Sequence, residues 1–154
     1  MRKQNRQMSE ADAWSCFDEA LYATLACSDL GQPYQVPLSM ARIQKVIYFH
    51  CAKEGKKWTM LKNNPHICIN AVCNPVVSEE NFTMYYRSCT IFGKASFVDD
   101  VTEKKAALQA ICEKFCFTTK QRFELYTQSA IEQTGIIKIE VREITGKCNP
   151  PIEL

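Results

Sequence analysis

Histidine is scarce in this chain: His50 and His66 are the whole supply. With no H-E-x-x-H pattern and no legible Ser-His-Asp set, side chains alone offer little for hydrolytic or zinc chemistry. No G-x-G-x-x-G and no Walker loop occurs, which excludes a Rossmann or P-loop nucleotide site. No apolar run approaches the ~18–20 residues that span a bilayer, so no membrane partner is expected. Repeats and low-complexity tracts are missing as well. Charge of one sign is in short supply: a net charge of +2 is too small to make nucleic acid a partner. No C-x-x-C is present. Cys112 and Cys116 share one face of an expected helix, but no second ligand pair accompanies them, and no metal site is expected.

Cysteine itself is plentiful. There are nine, an odd number, and most lie inside apolar runs such as Ile67-Cys68-Ile69. No secretory signal is recognisable, so the expectation is a cytoplasmic protein with reduced thiols acting as small core hydrophobes. At 154 residues, 46% hydrophobic and 23% charged, the chain fits one globular domain over residues 1–154. A domain of that size buries roughly 70% of its unfolded surface, enough for a core without staples.

The patterning predicts an α+β domain, mainly β. Ser9-Glu10-Ala11-Asp12 reads as a capped helix start, with an apolar stripe through Ala11, Trp14, Phe17 and Leu21. Strands are expected at residues 21–27, 34–41, 45–50, 66–73, 83–92 and 135–145. In the second, Tyr34, Val36, Leu38 and Met40 alternate with Gln35, Pro37 and Ser39. Pro37 cannot donate to a ladder, which marks an edge, a bulge or an open stretch. A short helix is expected at 57–63, stopped by Pro65, and a longer one at 101–116. Residues 74–81 read as an irregular connection, and 117–134 as a second helical or mixed segment. Short links favour antiparallel neighbours, so the six strands are expected to form an antiparallel barrel or strongly coiled sheet.

One stretch stands out as a candidate site. The apolar run ending at His50 breaks into Cys51-Ala52-Lys53-Glu54-Gly55-Lys56-Lys57. Lysines just before a helix can meet a phosphate monoester with ammonium groups, and the helix start adds backbone N–H donors. His50, at the strand end, is the candidate side chain for contact with the same ligand. Tyr48, Phe49, Trp58, Tyr85, Tyr86 and Phe92 supply aromatic surface nearby. No nucleophile and base pair is legible, so any catalysis would draw its chemistry from a bound cofactor.

The order of these pieces resembles the pyridoxamine 5'-phosphate oxidase-like flavin-binding split barrels, nearest to their nitroimidazole-resistance-like subgroup. The resemblance rests on Gly31-Gln32-Pro33-Tyr34-Gln35-Val36-Pro37-Leu38-Ser39 and on Ile47 through Lys57. It continues in Leu61-Lys62-Asn63-Asn64-Pro65, in Tyr85-Tyr86-Arg87-Ser88 running into Phe92-Gly93-Lys94-Ala95, and in Glu143-Ile144-Thr145-Gly146-Lys147. It implies a six-stranded antiparallel split β-barrel with flanking helices. It also implies a homodimer with flavin, FMN or alternatively FAD, held at the subunit interface, and NAD(P)H as the candidate electron donor. By motif, Val36, Pro37, Leu38 and Ser39 would line the isoalloxazine through their backbone. His50, Cys51 and Ala52 would lie along the ribityl chain and phosphate, and Lys56 and Lys57 would hold the phosphate. Ser88 stands where those oxidases keep a glutamine near the ring. The oxidases close with a tryptophan-and-arginine pattern, where this chain has Cys148-Asn149-Pro150-Pro151. The resemblance therefore implies a flavin-dependent reductase of a small, nitroaromatic-type substrate rather than a true pyridoxamine phosphate oxidase. The alternative is a non-catalytic flavin or haem carrier, or a sensor, on the same barrel.

Overall fold

A computed structural model describes residues 3–115, 123 and 131–149. The elements are β1 (Gln7–Met8), α1 (Glu10–Glu19), β2 (Ala23–Asp29), β3 (Gln32–Leu38), β4 (Ala41–Ile43) and β5 (Val46–Cys51). They continue with α2 (Lys56–Asn63), β6 (His66–Ser78), β7 (Thr83–Val98), α3 (Val101–Phe115) and β8 (Gly135–Asn149). The strands form one antiparallel sheet in the order β3-β2-β6-β7-β8-β5-β4, with β1 added to the far end of β8. The sheet coils but does not close, because β3 and β4 at its two ends are not paired. This is a split barrel with flanking helices, the α+β class expected from the sequence.

The interior is filled by alternate residues. Leu25, Ile47, Phe49, Ile69, Ile91, Ile137 and Ile139 are fully buried, and α1 adds Phe17. A second, smaller core lies under α3, where Tyr48, Val98 and Ile136 meet Ala107 and Leu108. Strand β5 thus buries both faces: Ile47 and Phe49 inside the barrel, Tyr48 beneath α3. The Tyr48 hydroxyl donates to Glu103 Oε1 at 2.9 Å, and Lys138 pairs with the same carboxylate.

Four local differences from the sequence reading have physical causes. The buried face of α1 is Ala13, Trp14, Cys16 and Phe17, not a stripe from Ala11 to Leu21. Ser9 caps the helix at Asp12 N–H, and the helix ends at Glu19. Leu21 therefore lies past the end and is exposed. The expected strand at 34–41 is two strands, because the chain leaves one half of the sheet after Leu38 and joins the other at Ala41. Of the expected irregular connection at 74–81, residues 74–78 instead continue β6, and 79–81 form the turn into β7. The ladder absorbs Asn74 and Pro75 in a bulge between Cys73 and Val76, the place in a sheet where proline is tolerated. Strands β7 and β8 also run several residues longer than expected. The expected segment at 117–134 falls largely outside the described residues, as do Cys116 and Pro150-Pro151.

Candidate functional site

Strand β3 ends the strand order, so of the three settings that Pro37 allowed it occupies an edge. The β2–β3 hairpin turns through Leu30 and Gly31, both at positive φ, with Asp29 paired to Gln32. In such a two-residue hairpin the closing pair is hydrogen-bonded and pairs then alternate. Tyr34, Val36 and Leu38 therefore bond to β2, while Pro33, Gln35 and Pro37 present their backbone to the open side. Both prolines sit where no N–H is required. The open side of β3 is left with free backbone groups at Gln35 and Pro37, which can border a flat ring.

Helix α2 crosses one end of the barrel. Its far end is tied to the β2–β3 hairpin, by Asn63 Nδ2 to Asp29 Oδ2 at 2.7 Å and Asn64 Nδ2 to the Ser28 carbonyl at 2.9 Å. Its near end starts at Gly55, in an extended backbone with φ +94° that side-chain-bearing residues rarely adopt. A glycine cap has no side chain to satisfy the first N–H groups of the helix, and no side chain caps this turn. Trp58 packs so closely on Gly135 that a Cβ there would lie 2.6 Å from its ring. The loop from Cys51 to Lys57 is thereby held against the start of β8.

Two lysines open the helix at this uncapped turn. Lys56 Nζ lies 5.1 Å from the centre of the Tyr34 ring on β3, and Lys57 Nζ lies 5.2 Å from that of Phe49 on β5. Among the described residues neither forms an ion pair with a carboxylate. Lys53 is different, since its ammonium donates to the Glu132 carbonyl. Both Lys56 and Lys57 are thus charged groups without a charged partner, beside orphan helix donors. That donor set fits a phosphate, and the β3 edge fits the ring system attached to it.

His50, the last residue but one of β5, is exposed and feels the charge of Lys57, while His66 is exposed at the start of β6. Crowding by surrounding protein, and then the Lys57 charge, hold the His50 imidazole below the usual value of 6.5. A histidine with a depressed folded pKa binds fewer protons than the unfolded chain just below 6.5. Its share of stability is complete above 6.5 and is lost as pH falls through the folded pKa. A proton NMR titration of His50 is expected to show a midpoint below 6.5. Lys57→Ala is expected to raise that midpoint; an unmoved midpoint would remove Lys57 from the site's electrostatics.

The structure gathers His50, Cys51, Ala52, Lys56 and Lys57 at one end of the barrel. Tyr34 links them to the strand carrying Val36, Pro37 and Leu38, with Ser39 in the crossover beyond. It does not bring Ser88 to them. Ser88 lies on the outer face of β7 between Val72 and Lys147, its Oγ 3.4 Å from the Lys147 carbonyl. It stands five positions from Gly93, about 17 Å along a strand. Two features of the site were missed in the sequence. Tyr34 under Lys56 had no signal beyond its place in the alternation. The clamp of Lys114 on the Phe17 and Met40 carbonyls, at 2.8 and 3.0 Å, fixes the crossover after Ser39 from a helix far away in sequence.

The sequence pattern of pyridoxamine 5'-phosphate oxidase matches residues 9–148. The chain belongs to the pyridoxamine 5'-phosphate oxidase family. Among solved structures it is similar to a protein described as a candidate 5-nitroimidazole antibiotic resistance protein from Bacteroides thetaiotaomicron, with 25% identity and a TM-score of 0.81. That match covers 92% of this chain and 86% of the other. In fold it is also similar to the FAD and haem binding protein of Mycobacterium smegmatis, with 19% identity and a TM-score of 0.79, covering 97% and 77% of the two chains. The haem storage protein of Vibrio cholerae shares the fold at 14% identity and a TM-score of 0.64, covering 88% and 92%. No curated protein matches the sequence. No helix among the described residues is long and apolar enough to cross a membrane.

Proposed function

We propose that the chain binds a flavin, FMN before FAD, and uses it as a cytoplasmic reductase of a small, nitroaromatic-type substrate. The observation that carries this reading is the pair of lysines at the uncapped start of α2, which form no ion pair among the described residues, beside the free edge of β3, in a member of this family. A monophosphate matches two ammonium groups and a few backbone donors without excess charge. A bound flavin would supply the hydride and electron chemistry that the chain's own side chains lack.

The roles left to the chain are binding and orientation. Lys56, Lys57 and the first N–H groups of α2 hold the phosphate. His50, neutral at pH 7, accepts or donates a hydrogen bond beside it, with Cys51 and Ala52 along the connecting chain. The backbone of Val36, Pro37, Leu38 and Ser39 borders the ring. Ser88 stands beside the ladder row of Leu38, Ala23, Ala71 and Cys89, toward the ring side of the site rather than its phosphate side. The reading is completed by a homodimer that holds the flavin between its subunits and by NAD(P)H as electron donor.

A second reading is a haem carrier, which the exposed, neutral imidazole of His50 favours, since that form ligates iron. The absorption spectrum of the purified protein, before and after adding each cofactor, separates the two. Flavin bands are expected. A haem Soret band, perturbed by His50→Ala, would replace the flavin reading. Oxidation of NADH or NADPH with and without a nitroaromatic acceptor then tests reduction. No turnover with either donor would leave a carrier.

A further inference from the structure

Four cysteines from four elements converge beneath the C-terminal half of α1, away from the candidate flavin site. Cys16 of α1, Cys73 of β6 and Cys148 of β8 share one buried cluster with Met8, and Cys89 of β7 lies beside Cys16. The contact between two of them is close: Cys73 Sγ donates to Cys16 Sγ at 3.2 Å. Cys16 is fully buried, and Cys73 is 4% exposed. Cys73 also lines a surface cavity of about 380 Å³, walled by Ala20, Leu21, Tyr22, Val72 and Pro75. At the rim, Glu19 is held by Arg87 and Asn74. The cavity is far larger than a peroxide molecule, and Cys73 is one of its lining residues.

We propose that Cys16 and Cys73 are an oxidisable dithiol, reached through this cavity, that closes to a disulfide with hydrogen peroxide as oxidant. Cys73 sulfur attacks the peroxide, the O–O bond breaks, and a sulfenic acid and one water form. Cys16 sulfur then displaces the sulfenic oxygen, the S–S bond forms, and that oxygen leaves with the Cys16 proton as a second water. Two thiols lose two electrons and two hydrogens, and one peroxide becomes two waters. Closing the sulfurs from 3.2 Å to a bond of about 2.05 Å needs a small backbone movement. The β6 bulge begins at Cys73, with Asn74 at φ +52°, so the strand is not clamped there by a regular ladder. Burial, and then the bond to Cys16, push the Cys73 thiol up to about 12. Little thiolate is present at neutral pH, so the attack on peroxide is slow and closure calls for a sustained dose.

The test treats the full-length protein with hydrogen peroxide, alkylates the remaining thiols after unfolding, and maps the peptides by mass spectrometry. The expected result is a Cys16–Cys73 linked peptide two hydrogens lighter than its parts, lost on reduction and lost in Cys73→Ser. The oxidised protein is expected to melt several degrees higher, because the bond closes a long loop. Three results would overturn the proposal. Cys16 and Cys73 both alkylate after peroxide has consumed the half-exposed Cys51 and Cys68. Cys16 links to Cys89 instead. Cys73 advances to sulfinic acid with no link. The linked peptide is read on the unsubstituted protein, so the result stands even where Cys73→Ser folds poorly.

Discussion

Replacing Lys56 and Lys57 together with alanine is expected to weaken flavin binding by about 2–4 kcal/mol, with partial compensation by water. That is roughly a 30- to 700-fold rise in Kd. Neither lysine has an ion-pair partner among the described residues, so their removal strands no buried carboxylate. Lys56 is exposed and Lys57 half-buried, and the barrel should keep its melting temperature to within a degree or two. The salt dependence of binding should also flatten, because two charge contacts to phosphate are gone. Lys53→Ala provides the internal control. Its ammonium is engaged with the Glu132 carbonyl, and its loss should leave flavin affinity nearly unchanged. A calorimetric titration of the double variant that matches the parent would remove the anchor from the account.

Phe49→Ala is expected to lower stability by about 3–5 kcal/mol, through lost burial and a cavity that the barrel cannot collapse. Phe49 has no exposed surface and sits in the main core with Ile47, Ile137 and Ile139. Its strand is pinned on one side by β8 and on the other by β4, so the backbone cannot move in to fill the space. Its ring also lies beneath the Lys57 ammonium, which couples the core to the phosphate end of the site. Phe49→Leu separates the two effects. It should recover most of the stability while flavin binding still falls slightly, since a cation over an aromatic face contributes about 0.5–1 kcal/mol at a partly exposed site. Urea unfolding of the two variants checks the order. Equal stability for Phe49→Ala and the parent would contradict the core assignment.

The fold was largely legible in the sequence because its signals are local. Alternation at residues 34–38, the apolar run ending at His50, and the caps at Ser9 and Pro65 each act over a few residues. Proline at position 37 narrowed its place to an edge, a bulge or an open stretch, since the missing N–H restricts where that residue can sit, and the ladder shows which. Other features depended on partners far away in sequence. The break after Leu38 separates two halves of one sheet and is fixed by Lys114, more than seventy residues later. The rotated face of α1 follows from where β6, β7 and β8 lie, which the helix's own periodicity does not specify. The candidate phosphate end lies mostly in one loop, so it could be nominated from that loop alone. Its connection to β3 through Tyr34, and the separation of Ser88, required the three-dimensional arrangement. The thiol cluster was read correctly as buried, but its assembly from four elements left no trace in the spacing of the cysteines.

The most direct test is an equilibrium titration of the purified protein with FMN, followed by flavin fluorescence and absorbance. Saturable binding with a shifted flavin spectrum, weakened in the variant lacking Lys56 and Lys57 and unaffected by loss of Lys53, is the predicted result. A folded protein that binds neither FMN nor FAD, or that binds flavin equally well without the two lysines, would contradict it.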